Sequence, residues 1–209
     1  MLLIGFIGKM GSGKTTAADY CVDSYGFTKH NFKDALDKEL AMLYPTVISK
    51  LSNDWPDVEM ALKVKPTPDA IRELKQKHGT DVRRAQDQQY WVKKWMDYYM
   101  GFTSDARICA DDVRFLNEVE AIKNMGGIIV RIKRDDVVDT GTHAGGAHIS
   151  ETELDNYEAD VTVVAEQGDF SMLHRSLDSI IENDNDYRNG KEDGDDRGAY
   201  DEYAETSTS

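Results

Sequence analysis

Short hydrophobic runs alternate along the chain with longer amphipathic segments. Four of the short runs predict strands, namely 2–7, 106–110, 128–132 and 161–164, and the first three of them are apolar enough to be buried. The more polar segment 27–32 predicts a further strand, the second along the chain. The longer segments predict helices with one buried face; they are 13–25, 34–44, 69–77, 81–100, 115–125 and 170–181. Strands that alternate with helices predict an α/β fold: a parallel five-stranded sheet with right-handed crossovers and helices on both faces.

Two stretches interrupt this regular pattern. Residues 45–68 contain all four prolines of the chain, so they predict loops with short helical turns. Gly79-Thr80-Asp81 predicts a break between two helices, where Thr80 or Asp81 would cap the second one. Residues 34–104 are thus expected to form a largely helical region within a single domain that spans 1–182.

The turn after the first strand carries the most specific chemical signal in the chain. It reads Gly8-Lys9-Met10-Gly11-Ser12-Gly13-Lys14-Thr15, a complete phosphate-binding loop between a strand and a helix. The backbone N–H groups of such a loop, together with the start of the helix, surround a phosphate. Lys14 would meet the β- and γ-phosphates, and the Thr15 hydroxyl would meet Mg²⁺. The residues expected to bind the nucleotide are Gly8, Gly11, Ser12, Gly13, Lys14, Thr15 and Thr16.

The net charge and the lengths of the apolar runs exclude some classes of binding partner. The net charge is −14, which argues against a broad nucleic-acid face, since such faces need clustered lysine and arginine. No apolar run approaches the length of a membrane span, and residues 2–7 fit a strand better than a signal peptide. Cys21 and Cys109 fall in a predicted helix and strand, as expected for core residues in a reducing compartment. We therefore expect a cytoplasmic protein with no direct nucleic-acid or membrane partner.

Two segments are expected to lie outside the packed core. Residues 134–150 form a polar, glycine-containing connection that is either a lid over a site or a plain flexible loop. His143 and His148 within it have no third ligand nearby, which disfavours zinc. Residues 183–209 hold nine acidic and three basic residues but no Leu, Ile, Val, Met, Phe or Trp. Because such a segment buries too little apolar surface to fold, we expect a disordered acidic tail.

Two carboxylates follow the third predicted strand. Asp111 and Asp112 end the apolar run 107–110, at the sheet edge where open α/β folds bind ligands. A carboxylate there can hold Mg²⁺ through water or orient an attacking oxygen. The structural alternative is a pair of aspartates that cap the next helix. We favour a functional role, with Thr15 and Asp112 as the expected metal ligands; Asp112 is preferred to Asp111 because it opens one of the sequence blocks on which the resemblance described next depends.

Four further blocks follow the phosphate-binding loop in order. They are Gly79-Thr80-Asp81-Val82-Arg83 with Tyr90-Trp91-Val92-Lys93, Asp112-Val113-Arg114-Phe115-Leu116-Asn117-Glu118, His148-Ile149-Ser150-Glu151, and 161–164 with Gln167-Gly168. In this order and spacing they resemble the bacteriophage-type deoxynucleoside monophosphate kinases over residues 2–182. One departure lies in the helix after the second strand. There the family often has a proline and a basic residue, whereas this chain has Asp37 between Lys33 and Lys38.

The resemblance implies a P-loop kinase fold with a mobile lid. It also implies transfer of the γ-phosphoryl group of ATP to a deoxynucleoside 5′-monophosphate with Mg²⁺, which supplies precursors of DNA. The cofactors would be ATP and Mg²⁺, the partner a deoxynucleoside monophosphate, and the location the host cytoplasm if the gene belongs to a phage. Whether the chain forms a homodimer is left open.

Phosphoryl transfer depends on neutralising charge more than on covalent groups, so basic residues are the natural site candidates. The residues expected to act in catalysis are the basic residues Lys14, Arg114 and Arg134 and the metal-site aspartate Asp112. Those expected to bind the acceptor are Lys33, Lys38, Arg72, Arg83, Trp91 and Arg131. For each arginine, the alternative to binding a phosphate is a structural ion pair at the surface. A tryptophan at helical spacing is more often a core residue than one that stacks against a base.

Two other functions compete with this interpretation. Another small-metabolite kinase, such as a dephospho-coenzyme-A kinase, shares the loop and strand order but does not explain the blocks at 79–93 and 112–118 together. A non-catalytic nucleotide-binding switch is disfavoured by Arg114 and the lid-like loop. The chain also lacks the N-K-x-D motif that reads guanine, which weakens a GTPase interpretation.

Overall fold

The computed structural model describes residues 1–51, 58–64, 67–134, 149–165 and 170–192. Within them, five parallel strands form one sheet. The strands are β1 (Leu2–Ile7), β2 (Thr28–Lys29), β3 (Arg107–Ala110), β4 (Ile128–Arg134) and β5 (Val161–Ala165). Their order across the sheet is β2-β3-β1-β4-β5. The predicted α/β fold with a parallel five-stranded sheet is confirmed.

Helices connect the strands and cover the sheet. They are α1 (Lys14–Tyr25), α2 (Lys33–Leu43), α3 (Pro45–Leu51), α4 (Val58–Lys63), α5 (Asp69–Gln76), α6 (Tyr90–Tyr99), α7 (Leu116–Asn124), α8 (Ile149–Thr152) and α9 (Ser171–Glu192). A π-helix, Lys77–Arg84, continues directly from α5. Among the described residues, no helix combines the length and apolar character that a bilayer crossing requires.

The strand register brings three segments to one edge of the sheet. In the central strand β1, Gly5 pairs with Ala110 of β3, and Ile7 pairs with Arg131 of β4. All three strands run in the same direction, so their carboxyl ends lie side by side. The phosphate-binding loop after β1, the aspartates after β3 and the end of β4 therefore meet at this edge.

Alternating side chains of the strands face two different hydrophobic clusters. Leu2, Ile4 and Phe6 of β1 pack in the cluster that α1 and α9 complete. Leu3 and Ile7 belong to the opposite cluster, with residues of α6 and α7. A third cluster is built from the helices α2 to α5 and contains Leu40, Ile48, Ala61, Leu62 and Ile71. The helical region between β2 and β3 thus has a small core of its own.

Gly79 does not break a helix, contrary to the sequence prediction. It lies inside the π-helix, and so do Thr80 and Asp81, which were expected to cap the next helix. A Cβ at Gly79 would lie 3.2 Å from Leu36 Cδ2. The Gly79 carbonyl also accepts the indole N–H of Trp91 at 2.9 Å. The glycine therefore allows close packing against α2 and α6 instead of ending the helix.

Other boundaries also differ from the prediction. β2 is shorter, because the chain turns into α2 directly after Asn31. Residues 45–51 and 58–63 form helices of seven and six residues, so the short helical turns expected in this stretch are present and somewhat longer than predicted. α9 extends to Glu192, past the predicted end at residue 181. Residues 135–148 of the predicted lid and 193–209 of the predicted tail lie outside the described part of the chain.

Candidate active site

The loop between β1 and α1 has the backbone shape of an anion site. Gly8, Gly11 and Gly13 have φ angles of 139°, 80° and 106°, which L side chains rarely adopt. A Cβ at Gly8 would lie 2.3 Å from the carbonyl oxygen of Ile132 in β4. α1 begins at Lys14 and presents its first N–H groups, which have no partner within the helix, next to the loop.

Two side chains of the loop fit a bound phosphate. Lys14 Nζ donates hydrogen bonds to the carbonyl oxygens of Gly8 at 2.6 Å and Lys9 at 2.8 Å. A phosphate would offer this ammonium a charged acceptor, which binds it more strongly than a neutral carbonyl does. The Ser12 hydroxyl is buried and has no hydrogen-bond partner among the described residues. A buried polar atom without a partner is costly unless a ligand or water satisfies it.

A small cleft of about 30 Å³ lies beside the loop at the carboxyl edge of the sheet. Its walls are Gly8, Lys14, Val113, Arg114, Arg131, Ser150, Leu154 and Asp155. Three of these residues are basic and one is acidic, so the cleft is positive within an acidic protein.

The arginines predicted to act on phosphates surround the loop and the cleft. Arg114, which follows β3, donates to the carbonyl oxygen of Ser150 at 3.3 Å. Arg131 of β4 donates from one nitrogen to the carbonyl oxygens of Leu154 and Tyr157, both at 2.7 Å. Arg134, at the end of β4, donates to the Gly11 carbonyl at 3.1 Å. The fold thus brings three guanidinium groups to the phosphate-binding loop and its cleft, although all three lie about a hundred residues or more after the loop in the chain.

The segment after the predicted lid forms another wall of the site, which the sequence did not indicate. Asp155 Oδ2 lies 2.7 Å from Nζ of Lys9 in the phosphate-binding loop. Glu153 Oε1 accepts the backbone N–H of Leu116, the first residue of α7, at 2.7 Å. Both contacts join residues far apart in the chain, so no local pattern could have identified them.

Asp112 caps a helix, but not the helix that follows it. Its Oδ1 accepts the N–H of Phe32 at 3.1 Å, and its Oδ2 accepts the N–H of Lys33 at 2.8 Å. These amides start α2, where a carboxylate complements the positive end of the helix dipole. Burial raises the pKa of Asp112, and the nearby Lys33 offsets this only in part. Asp112 therefore has a capping role at α2 and not at the helix after it, as the structural alternative had proposed, while a role of Asp112 beside Mg²⁺ stays a prediction.

Asp111 is buried beside two lysines. Its Oδ1 lies 3.2 Å from Lys33 Nζ, and its Oδ2 lies 3.6 Å from Lys29 Nζ. Lys29 also pairs with Asp19 of α1, one helical turn after Thr15. Burial alone would lower the pKa of Lys33, but Asp112 and Asp111 outweigh it and the pKa is raised. Lys33 therefore stays protonated at the sheet edge.

Glu118 is the buried centre of a network that sequence reasoning overlooked. Its Oε2 accepts the backbone N–H groups of Arg114 at 2.7 Å and Phe115 at 3.2 Å. Its Oε1 forms an ion pair with Arg84, the last residue of the π-helix. Burial raises the pKa of Glu118 to about 7, against the opposing effect of Arg84. The bond from the Phe115 N–H to Glu118 is one half of a capping box, but Phe115 has no side-chain acceptor for the other half, so the chain lacks the Ser/Thr-x-x-Glu signature that would have marked this glutamate.

The other residues predicted to bind the acceptor are dispersed over the helical region. Lys38 Nζ lies 5.5 Å from the centroid of the Tyr98 ring. Arg72 donates to the Thr67 carbonyl at 3.5 Å. Arg83 forms an ion pair with Glu39. None of these contacts reaches the cleft, so binding of the acceptor by Lys38, Arg72 and Arg83 stays a prediction.

Arg83, through its partner Glu39, and Trp91 have structural roles in the part of the chain that is described. Glu39 accepts hydrogen bonds from the Tyr90 hydroxyl at 2.7 Å and from His78 Nε2 at 2.8 Å, in addition to its pairing with Arg83. Trp91 is only 3% exposed. Its indole N–H is bonded to the Gly79 carbonyl, so Trp91 occupies a core position and its ring offers little surface for stacking a base.

The fold and the site together define a P-loop nucleotide-binding protein: a parallel sheet, a phosphate-binding loop after its central strand, and basic side chains at the same edge. The family model for deoxynucleotide monophosphate kinases matches residues 55–177, which is more than half of the chain. The chain therefore belongs to the deoxynucleotide monophosphate kinase family. This confirms the resemblance that the ordered sequence blocks indicated.

Individual relatives agree with this assignment. A putative deoxynucleotide monophosphate kinase of Acanthamoeba polyphaga mimivirus is 29% identical over 200 residues, which cover 88% of this chain and 97% of that protein. The deoxynucleotide monophosphate kinase of Escherichia phage RB69 is 32% identical over 117 residues, 54% of this chain and 45% of that protein. The crystal structure of TT1252 from Thermus thermophilus has a TM-score of 0.48 at 15% identity, covering 87% of this chain and 97% of that one. The last likeness is too distant to bear on function.

Proposed function

We propose that the protein transfers the γ-phosphoryl group of ATP to a deoxynucleoside 5′-monophosphate and releases ADP and a deoxynucleoside diphosphate. The observation that carries the proposal is that Gly8 and Lys14 of the phosphate-binding loop line the same cleft as Arg114 and Arg131. Two polyanions must meet in this reaction, so their mutual repulsion has to be neutralised. Basic groups concentrated at one cleft of an acidic protein fit that need.

The positions of the site residues support different roles in this reaction. The N–H groups of the loop and the Lys14 ammonium hold the β- and γ-phosphates, and the buried Ser12 hydroxyl is a further donor. Arg114 shares the cleft with Lys14 and neutralises charge on the phosphoryl group in transfer. Arg134, which contacts the loop at Gly11, adds positive charge there. Two acceptor-site candidates lie at this edge of the sheet: Arg131, which lines the cleft, and Lys33, which pairs with Asp111.

Mg²⁺ is expected to arrive with ATP, and it neutralises and orients the phosphates when bound. Within the described ranges, no group of three or more His, Cys, Asp or Glu side chains is arranged to hold a metal ion. Mg²⁺ takes most of its ligands from phosphates and water and needs only one or two protein groups. Thr15, in the first turn of α1, would supply a direct ligand. Asp112, with both oxygens bonded to amides of α2, would act through water.

A coupled assay of ADP release tests the proposal. ATP is supplied with each deoxynucleoside monophosphate, each ribonucleoside monophosphate and dephospho-coenzyme A, and a reaction without acceptor measures background hydrolysis. We expect release that depends on one or more deoxynucleoside monophosphates and is lost in Lys14→Ala. Release that depends only on dephospho-coenzyme A would favour the alternative kinase, and release with no acceptor dependence would refute phosphoryl transfer to a nucleotide.

A further inference from the structure

We propose that Glu118 is a positioning residue for Arg114 and that Arg84 holds Glu118 in place. The inference rests on the proposed function, in which Arg114 meets the phosphoryl group in transfer. It concerns the buried network of Arg84, Phe115, Asn117 and Glu118, which joins the helical region to the turn between β3 and α7.

The carboxylate of Glu118 determines how the backbone enters α7. One of its oxygens accepts the N–H groups of two consecutive residues, Arg114 and Phe115. Hydrogen bonds from two successive amides orient the peptide planes on both sides of the Arg114 Cα atom. The direction in which the Arg114 side chain leaves the backbone is thereby restricted, and this side chain forms part of the cleft wall.

Arg84 restrains Glu118 from the helical side. Its guanidinium pairs with Glu118 Oε1, and it donates to Asn117 Oδ1 at 3.1 Å and to the Gln88 carbonyl at 3.2 Å. The guanidinium carbon also lies 3.7 Å from the centroid of the Phe115 ring. Asn117 Nδ2 donates to the same Gln88 carbonyl at 2.7 Å. Arg84 is therefore bonded both to the turn that carries Arg114 and to the segment that connects the π-helix to α6.

Stability alone is a weak explanation for this pair. Glu118 is 3% exposed and Arg84 is 8% exposed, so both charges have lost most of their hydration. A buried ion pair commonly stabilises a fold no better than apolar residues of the same volume would. Its directional hydrogen bonds, in contrast, specify one geometry, which apolar contacts cannot do. The pair thus contributes orientation at the residue that the reaction uses.

The variant Glu118→Gln separates the two functions of the carboxylate. A glutamine has one side-chain oxygen, which can accept either the two backbone amides or Arg84. Its amide group then faces donors on the other side, so one of the two sets of contacts is lost. We expect kcat/KM to fall on the order of ten- to a hundredfold, as small misplacements of a reacting group do.

A double-mutant cycle with Arg114→Met distinguishes positioning from a general loss of structure. If Glu118 acts through Arg114, Glu118→Gln should lower kcat/KM by less than about twofold once Arg114 is gone. The cycle is also read through the dissociation constant of ATP, measured by calorimetry, which requires no turnover. If the effects of the two single substitutions simply multiply in the double variant, both for kcat/KM and for the dissociation constant of ATP, the inference is overturned. If Glu118→Gln does not fold, Arg84→Met replaces it in the same cycle with the same expected coupling.

Asp160 offers a matched control at the opposite edge of the sheet. Its Oδ1 lies 2.7 Å from Lys123 Nζ, and its Oδ2 accepts the N–H of Ile129 at 2.7 Å. The carboxylate therefore has the same kinds of partner as Glu118, but at the amino ends of β4 and β5. Asp160→Asn should lower the melting temperature without changing kcat/KM or the affinity for ATP. If the wild type is active but the effects of Glu118→Gln and Arg114→Met are independent, the positioning role of Glu118 is refuted and the proposed function is not. If the wild type shows no acceptor-dependent turnover, the proposed function itself is refuted.

Discussion

Replacing Gly8 with alanine tests how tightly the phosphate-binding loop is packed against β4. Gly8 has a φ of 139°, and a Cβ there would lie 2.3 Å from the carbonyl oxygen of Ile132 and 2.9 Å from Ser12 Oγ. The Ile132 oxygen belongs to the backbone of an interior strand, so it cannot rotate away. Gly11 also has a positive φ, of 80°, but a Cβ there would meet nothing within 4 Å. The two glycines share the backbone requirement and differ only in the space around them.

The expected losses follow from these two effects. A left-handed backbone costs a residue with a Cβ roughly 1–2 kcal/mol, and this applies to both positions. Forcing a methyl group against a packed wall adds roughly 1–3 kcal/mol, and this applies only to Gly8. Gly8→Ala should therefore lower the free energy of unfolding by about 2–5 kcal/mol and Gly11→Ala by about 1–2 kcal/mol. In a domain whose total stability is about 5–15 kcal/mol, the larger loss is readily measured.

Urea denaturation of the wild type and both variants measures this difference. Calorimetric titration with ATP, in parallel, reports whether the loop still binds phosphates. We expect Gly8→Ala to be the less stable variant and to bind ATP more weakly than Gly11→Ala. If the two variants lose the same free energy of unfolding within about 0.5 kcal/mol, the loop is not seated against Ile132 as described and the reasoning fails.

Four further predictions can be checked directly. Lys14→Ala should lower turnover on the order of a hundred- to a thousandfold without lowering the melting temperature, because it removes a cation from the phosphates; near-wild-type turnover would disprove the site assignment. Asp112→Asn should cost more turnover than Asp111→Asn and also about 1–3 kcal/mol of stability in urea, because an amide nitrogen cannot accept an N–H of α2; equal effects would contradict this. Burial alone would raise the pKa of Glu39, but its three donors hold it below the usual range, so its stabilising contribution is present above the ordinary pKa of a glutamate and is lost as the pH falls through the lowered pKa. As the pH falls through that range, the free energy of unfolding of Glu39→Gln should therefore decrease by less than that of the wild type. An equal decrease would contradict the hydrogen bonds described for Glu39. Truncation after Glu192 should leave turnover and the melting temperature nearly unchanged, since the removed segment has no aliphatic side chains beyond one alanine at each of two positions; a several-fold change in turnover would instead indicate a regulatory tail.

Local signals in the sequence were sufficient for the architecture and for the phosphate-binding loop. Apolar runs predicted the three interior strands β1, β3 and β4, because a strand buried on both faces must be apolar at nearly every position. The edge strands β2 and β5 have exposed positions, and both lie within the segments predicted as strands. The glycines at 8, 11 and 13 marked the loop, because they occur where the backbone needs a positive φ, and all three have one. Both signals are properties of neighbouring residues, so they can be read without knowledge of the partners.

Tertiary structure decided which partner each polar or small residue meets. Asp112 caps α2, about eighty residues earlier in the chain, and not the helix next to it. Gly79 looked like a helix stop but is the point where the π-helix packs closely against Leu36. Glu118 was visible within a motif, yet its pairing with Arg84 follows only from the packing of the helical region against the sheet. A side chain's type determines what it can bond to, whereas its actual partner depends on which distant segment the hydrophobic core brings beside it.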